Sequence, residues 1–413
     1  MPHRFMVCMP LVGILLSSAA LPAGDWPEFR GSGQQGVSDE VNLPLTWSET
    51  ENIAWKTDLP GLGWSSPSIA NGQLWLTSAV KSDPSQPAVD LVAICLDPKS
   101  GAVLKTVEIF HKDDPGSIHS KNSHASPTPV IQGDKVYVHF GRHGTACLNT
   151  NGDILWKTEL EYNHRHGPGG SPILFQDLLI IACDGTDIQY MVALDKNTGK
   201  EAWKTPRVEG RMAYSTPTMT VFNGQPQVVT SGGEFISTYA PATGKELWRF
   251  RYPGGFSNVP RPVVAQGIAF ASSGYNETFL YGVKLGGEGD VTETHLAWKT
   301  NKAVPRNASP IIVGDDLYLI SDNGVATCLD VKTGEQHWQK RIGGDFSSSP
   351  LFADGKLYIV NENGLTTVLK PGHEYEVLAE NQLPGRIFAS PVPHDGAIFL
   401  RTEAALYRIE NPK

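Results

Sequence analysis

Apolar and alternating runs, each closed by a small turn, return along this chain at a nearly constant interval. KVYVHF at 135–140, LLIIAC at 178–183, LYLIS at 317–321 and LYIVN at 357–361 each read as a strand with a buried face. Before each comes a shorter apolar run (PTPVI, PIIVG) and a QGD-, GDD- or ADG-type turn. After each comes a third strand ending near Leu-Asp, a Thr-Gly turn and a fourth strand carrying Trp. The clearest copies are ALDKNTGKEAWKT (193–205), YAPATGKELWRF (239–250) and CLDVKTGEQHWQK (328–340).

A small residue followed by Pro opens each unit, at Pro67, Pro127, Pro172, Pro217, Pro262, Pro310, Pro350 and Pro391. The intervals are 60, 45, 45, 45, 48, 40 and 41 residues, the period of four-stranded propeller blades. The last unit lacks a fourth strand, whereas ENIAWKTDLPG, upstream of Pro67, is a fourth strand with nothing before it. Pairing Ile53–Thr57 with Leu406–Ile409 removes the open edge. The expectation is an all-β, eight-bladed β-propeller of antiparallel blades, with an N-terminal strand completing the last blade. In D-x-x-T-G, Asp195 and Thr198 can bond nearby backbone amides, and Gly199 tolerates positive φ. The Trp four residues after each such Gly (Trp156, Trp203, Trp248, Trp338) is expected to wedge between units. These residues read as structural docking groups.

Composition narrows the class. The 413 residues include 42 Gly and 30 Pro, which suits short strands and tight turns. Charged residues make up 19%, and the net charge of −9 argues against a nucleic-acid or anionic-membrane binder. Residues 1–23 read as a secretory signal: Arg4, an LVGILL core, and small residues at SSAALPA. Residues 24–413 are then one monomeric propeller domain in the periplasm or outside the cell, with no later segment long enough to span a bilayer. Cys95, Cys147 and Cys328 fall at one repeated position, and Cys183 lies in another strand; all four read as small buried hydrophobes.

The A-L-D-K-N-T-G-K-E-A-W stretch resembles the docking motif of pyrroloquinoline-quinone-type (PQQ-type) propellers. That family includes quinoprotein alcohol and glucose dehydrogenases and an eight-bladed lipoprotein of outer-membrane protein assembly. The opening DWPEFRGSGQQGVS is similar to that of secreted PQQ-like repeat proteins, and the likeness covers residues 25–410. It implies the fold. Its dehydrogenases imply adjacent cysteines, a calcium set and, in some, a C-x-x-C-H haem site; this sequence has neither Cys-Cys nor C-x-x-C-H. The lipoprotein implies a cysteine directly after the signal, where Gly24 or Leu21 stands.

Function is expected where the fourth-to-first and second-to-third connections share one face. Candidate ligand residues there are Asn122, His124, His164, Arg165, His166 and Arg211, then Tyr214, Arg261, Arg306, Asn307 and Arg386. Arginine forks suit carboxylate or phosphate, and aromatic rings stack on flat or sugar ligands. His164 and His166 with Asp184 and Asp187 form a weaker metal candidate. No GxSxG stretch occurs. The reading is an exported, non-catalytic propeller binding a protein, glycan or small anion. The alternatives are a PQQ-dependent oxidoreductase, with PQQ as a disfavoured cofactor, or an envelope-assembly scaffold.

Overall fold

A computed structural model describes residues 24–207 and 210–412, so the expected signal at 1–23 lies outside the described residues. Eight four-stranded antiparallel sheets are arranged as the repeat implies. Blades 1 to 8 begin at the strands Ser68–Ala70, Val130–Gln132, Ile173–Phe175, Thr218–Phe222, Val263–Ala265, Ile311–Val313, Leu351–Ala353 and Val392–His394. Blade 4 adds a two-residue parallel strand, Gly289–Asp290, on its outer edge. In blade 8 the strand Ile53–Asp58 pairs with Ala405–Glu410, with Thr57 opposite Leu406 and Ile53 opposite Ile409. The ring therefore closes by joining the two ends of the chain.

Second and third strands are buried on both faces, because each sheet is covered by its neighbours; KVYVH is buried throughout except Lys135. Fourth strands alternate, as in Glu201–Pro206, because one face meets water. The D-x-x-T-G turn serves the preceding blade. The Trp156 indole of blade 2 donates to Lys196 O of blade 3 at 3.0 Å, and Thr158 Oγ1 donates to Gly199 O at 2.6 Å. Trp203 repeats this on Pro241 O (2.9 Å) and Trp338 on Gly372 O (2.9 Å). Trp248 is fully buried, and its indole nitrogen has no partner. Cys95, Cys147, Cys183 and Cys328 are free and buried, and burial pushes the Cys95 thiol up to about 11.

The residue before each opening Pro forms a belt around the axis. The Ser390 amide donates to Ser66 Oγ, Ser66 to Thr128 Oγ1, Thr128 to Ser171 Oγ, and Ser171 to Thr216 Oγ1, all at 2.9–3.1 Å. Beyond Arg261 the belt resumes through Ser309, Ser349 and Ser390 at 3.0 Å. Seven such bonds run around the axis, with one gap between Thr216 and Arg261, where a guanidinium stands in place of a hydroxyl. The belt also corrects one repeat boundary: in blade 2 the anchor is Thr128-Pro129, two residues beyond the expected Pro127, because Thr128 joins the belt and the strand starts at Val130.

The N-terminal segment threads the axis. Trp26 bridges to Ile69 of blade 1, and Pro27 O accepts from Ile131 of blade 2. Gln34 Oε1 accepts from Met219 N of blade 4. Arg30 donates to Ser309 O and Pro310 O of blade 6, and Val37 bridges to Phe352 of blade 7. This plug turns the channel into a blind funnel.

Candidate functional site

The funnel encloses about 350 Å³ beneath the face carrying the fourth-to-first connections. Every blade contributes to its wall because the connections converge on the axis. Aromatic groups are Trp64, Tyr214, Phe256, Tyr275 and Phe388, and Phe29 of the plug lines it as well. Between them lie belt hydroxyls, among them Ser66, Thr128, Ser171 and Thr216, together with His119, Asn122, His166 and Asn307. Lys121 is the single Lys or Arg on the lining among the described residues, and no Asp or Glu lines it. Lys121 is already committed: it reaches Glu362 of blade 7 at 2.8 Å, and Ser347 Oγ donates to the same carboxylate oxygen at 2.6 Å. Through that contact the long connection into blade 2 arches over the mouth, and Arg386 adds a 3.4 Å bond to its Ser120 carbonyl.

Of the residues expected from sequence, four line the funnel: Asn122, His166, Tyr214 and Asn307. Asn122 is occupied, donating to His166 O and Pro168 O and accepting from Ser126 Oγ. Tyr214 OH accepts from the His166 amide at 3.3 Å, and burial pushes the phenol up to about 12. Asn307 Oδ1 accepts from Tyr275 OH at 3.3 Å.

The arginines do not converge. Arg261 is fully buried where a belt hydroxyl would stand; it donates to Phe29 O (2.5 Å), Pro217 O (2.7 Å) and Thr218 Oγ1 (3.0 Å). Arg306 donates to Thr278 Oγ1 at 3.0 Å and lies 5.4 Å from the Tyr275 ring, outside the funnel lining. Arg386 stacks 4.7 Å over Phe388 at the rim. Arg211 is half-exposed and faces Glu234 at 3.4 Å, and Arg165 is exposed. Nor do the four metal candidates form one ligand set. Asp184 is buried against Arg207 at 2.7 Å, with burial nonetheless pushing its carboxyl up to about 6. Asp187 accepts from the Asn163 amide and side chain, both at 2.9 Å.

His124 and His164 lie outside the funnel lining and within a chain of imidazoles. His124 and His164 each lie 5.5 Å, ring to ring, from His143, and all three are buried. Burial, joined by the charge of Arg142, pushes His124 and His164 down to about 4 and His143 to about 3, so they are neutral at pH 7. Sequence reasoning missed Phe29 and the plug, which lie outside the repeat, and Lys121, hidden in an irregular loop. A non-repeating WPEFRG upstream of the first blade was the available signal.

A family model described as outer membrane protein assembly factor BamB matches residues 90–340 and again 290–373. The curated BamB of Burkholderia pseudomallei (strain K96243) is 36% identical over 94 residues, which is 23% of this chain and only 24% of that relative. Among solved structures, BamB from Moraxella catarrhalis aligns with a TM-score of 0.59 at 12% identity, over 86% of this chain and 99% of that one. The quinohemoprotein alcohol dehydrogenase of Comamonas testosteroni aligns with a TM-score of 0.67 at 12% identity, over 96% and 82%. At such identity the structural likenesses speak for the fold alone. Among the described residues, no helix is long and apolar enough to cross a membrane.

Proposed function

This chain belongs to the PQQ-like propeller family of the assembly-factor model, and from that premise we propose a non-catalytic binding propeller exported to the cell envelope. Its funnel takes a neutral, hydroxyl-rich group of about the size of one or two sugar rings. The observation that carries this is the lining: aromatic faces and hydroxyls, with one cation that already has its carboxylate. Aromatic rings stack on the apolar faces of sugars, and His119, His166 and Asn307 add polar side chains to the lining for their hydroxyls. A free anion would find no unpaired positive charge on the lining, so the small-anion option loses its support. The envelope assignment rests on the assembly-factor relative together with the signal-like residues 1–23.

PQQ, which the family implies, fits poorly. It is a tricarboxylate, and the buried guanidinium groups of Arg30 and Arg261 are engaged by the backbone carbonyls of Ser309, Pro310, Phe29 and Pro217. The four described cysteines stand in separate blades and cannot supply an adjacent pair.

Titration with a panel of neutral oligosaccharides (cello-, malto- and chito-series), read by calorimetry, tests the proposal. Saturable binding is expected, weakened at least about tenfold by Phe256→Ala or His166→Ala, the loss of one stacking or hydrogen-bonding group in a desolvated site. Binding by none of the panel, or equal binding by both variants, refutes it.

A further inference from the structure

We propose that the junction of blades 6 and 7 carries a zinc-type divalent-cation site made by Asp316, His337 and His373. Among the described residues these three bring ligand atoms within 4.8 Å of one another. They come from three places in the chain. Asp316 opens the second strand of blade 6, Asp316–Ile320; His337 lies on its fourth strand, Gln336–Arg341; His373 sits in the turn before the fourth strand of blade 7, Glu376–Gln382. The site is therefore a clip between blades, remote in sequence and in chemistry from the funnel.

The repeat explains why these residues can meet. At three other junctions a Thr two residues after the docking Trp donates to the Gly carbonyl of the next blade's turn: Thr57 to Gly101, Thr158 to Gly199 and Thr205 to Gly244. At this junction Lys340 replaces that Thr, and the facing turn reads KPGHEYE in place of D-x-x-T-G. The tie is missing, and two imidazoles and a carboxylate stand in its neighbourhood.

Asp316 Oδ1 lies 3.3 Å from His337 Nε2 and 3.1 Å from His373 Nε2. Ligand atoms about 2 Å from a tetrahedral zinc lie about 3.3 Å apart, so these separations suit one ion. The two rings stack, with centroids 3.8 Å apart and planes 12° from parallel. His337 Nε2 is buried and lacks a hydrogen bond of good geometry despite its distance from the carboxylate. One dication placed between them satisfies the lone pairs of both imidazoles and the carboxylate together. Two imidazoles and one carboxylate form a zinc-type donor set with room for a fourth, outer ligand. His373, two-thirds exposed, is free to tilt onto the ion.

Supporting contacts fix the frame. Tyr318 OH donates to Asp316 Oδ2 at 3.3 Å and accepts from Gly372 N at 2.8 Å, holding both the carboxylate and the turn that carries His373. Trp338, next to His337, donates to Gly372 O at 2.9 Å. Such outer hydrogen bonds orient metal ligands.

The test is calorimetric titration of untagged, chelator-treated protein with zinc chloride, paired with thermal denaturation with and without the ion. Wild type should bind one equivalent and unfold at a higher temperature with zinc. His373→Ala and Asp316→Asn should each weaken binding by about tenfold or more and abolish the zinc-dependent rise. The metal-free midpoint of His373→Ala should stay near wild type, because that side chain is largely exposed. No saturable binding up to about 1 mM zinc overturns the proposal. So does unchanged binding by His373→Ala, which would place the ion elsewhere, for instance on the buried imidazoles of blades 2 and 3.

Discussion

Four imidazoles give this protein a pH dependence written at single residues. Burial pushes His139 and His143 down to about 3 and His124 and His164 to about 4, against an ordinary value of 6.5. Their native pKa values are depressed, so the unfolded chain binds more protons below pH 6.5. Stability is therefore complete above that pH and is lost as the pH falls toward 4. His139 is fully enclosed and its Nδ1 meets Thr145 Oγ1 at 2.8 Å. Its share of the slope is at most about 1.4 kcal/mol per pH unit. Urea unfolding of His139→Gln at pH 7 and pH 5 should show a shallower loss than wild type; an identical slope would show that this imidazole does not titrate on unfolding. Arg261 acts at the same scale. Removing it in Arg261→Ala strands Phe29 O, Pro217 O and the partly buried Glu28, whose carboxylate lies 3.9 Å away. The expected loss is about 3 kcal/mol or more, read from the urea midpoint at pH 7.

At the scale of the strand and turn, docking depends on a missing side chain. Gly199 holds φ +70°, and a Cβ there would stand 2.5 Å from the Trp156 ring of the preceding blade. Gly199→Ala should cost about 2–4 kcal/mol, combining left-handed strain with overpacking. Gly224→Ala serves as the control, since it shares a positive φ but meets nothing within 4 Å. Equal losses in the two would mean that strain alone operates. This layer was legible in advance because Asp195, Thr198, Gly199 and the Trp positions repeat, and repetition exposes local physics. The blade 2 anchor was misplaced by two residues because ASPTP offers two prolines, and only the belt bond from Thr128 to Ser171 chooses between them. The directions of the candidate arginines were not legible for a different reason. Loop membership places Arg165, Arg211, Arg261, Arg306 and Arg386 on one face, but side-chain direction is set by partners such as Glu234, Phe29 and Tyr275, which lie far away in sequence. The Asp316–His337–His373 cluster was invisible likewise, since its members are 21 and 36 residues apart.

For the whole molecule the governing fact is closure by the chain's own ends, and the ring is plugged by the residues that lead into the closing strand. A ring closed this way has one seam that is non-local in sequence, and cross-linking the seam should stabilise the native state more than a link inside any blade. Asp58 pairs with Ala405 in the antiparallel seam. Directly opposed residues share a face, with Cα atoms about 4.5–5.5 Å apart, within disulfide range. Asp58 is exposed and Ala405 is small, so Asp58→Cys with Ala405→Cys disturbs little packing. Cys95, Cys147, Cys183 and Cys328 are buried in the blades, so among the described residues oxidation under native conditions should join only the new pair. Such a bond closes a loop of about 350 residues, for which chain entropy sets a ceiling of about 6 kcal/mol. The oxidised protein should show a higher unfolding midpoint than the reduced form of the same variant, and reductant should reverse the gain. An equally long-lived open edge would instead leave the new thiols free and the midpoint unchanged. Because the plug residues Trp26, Arg30 and Gln34 hang from the same N-terminal segment, locking the seam should also slow proteolysis of the chain upstream of residue 53.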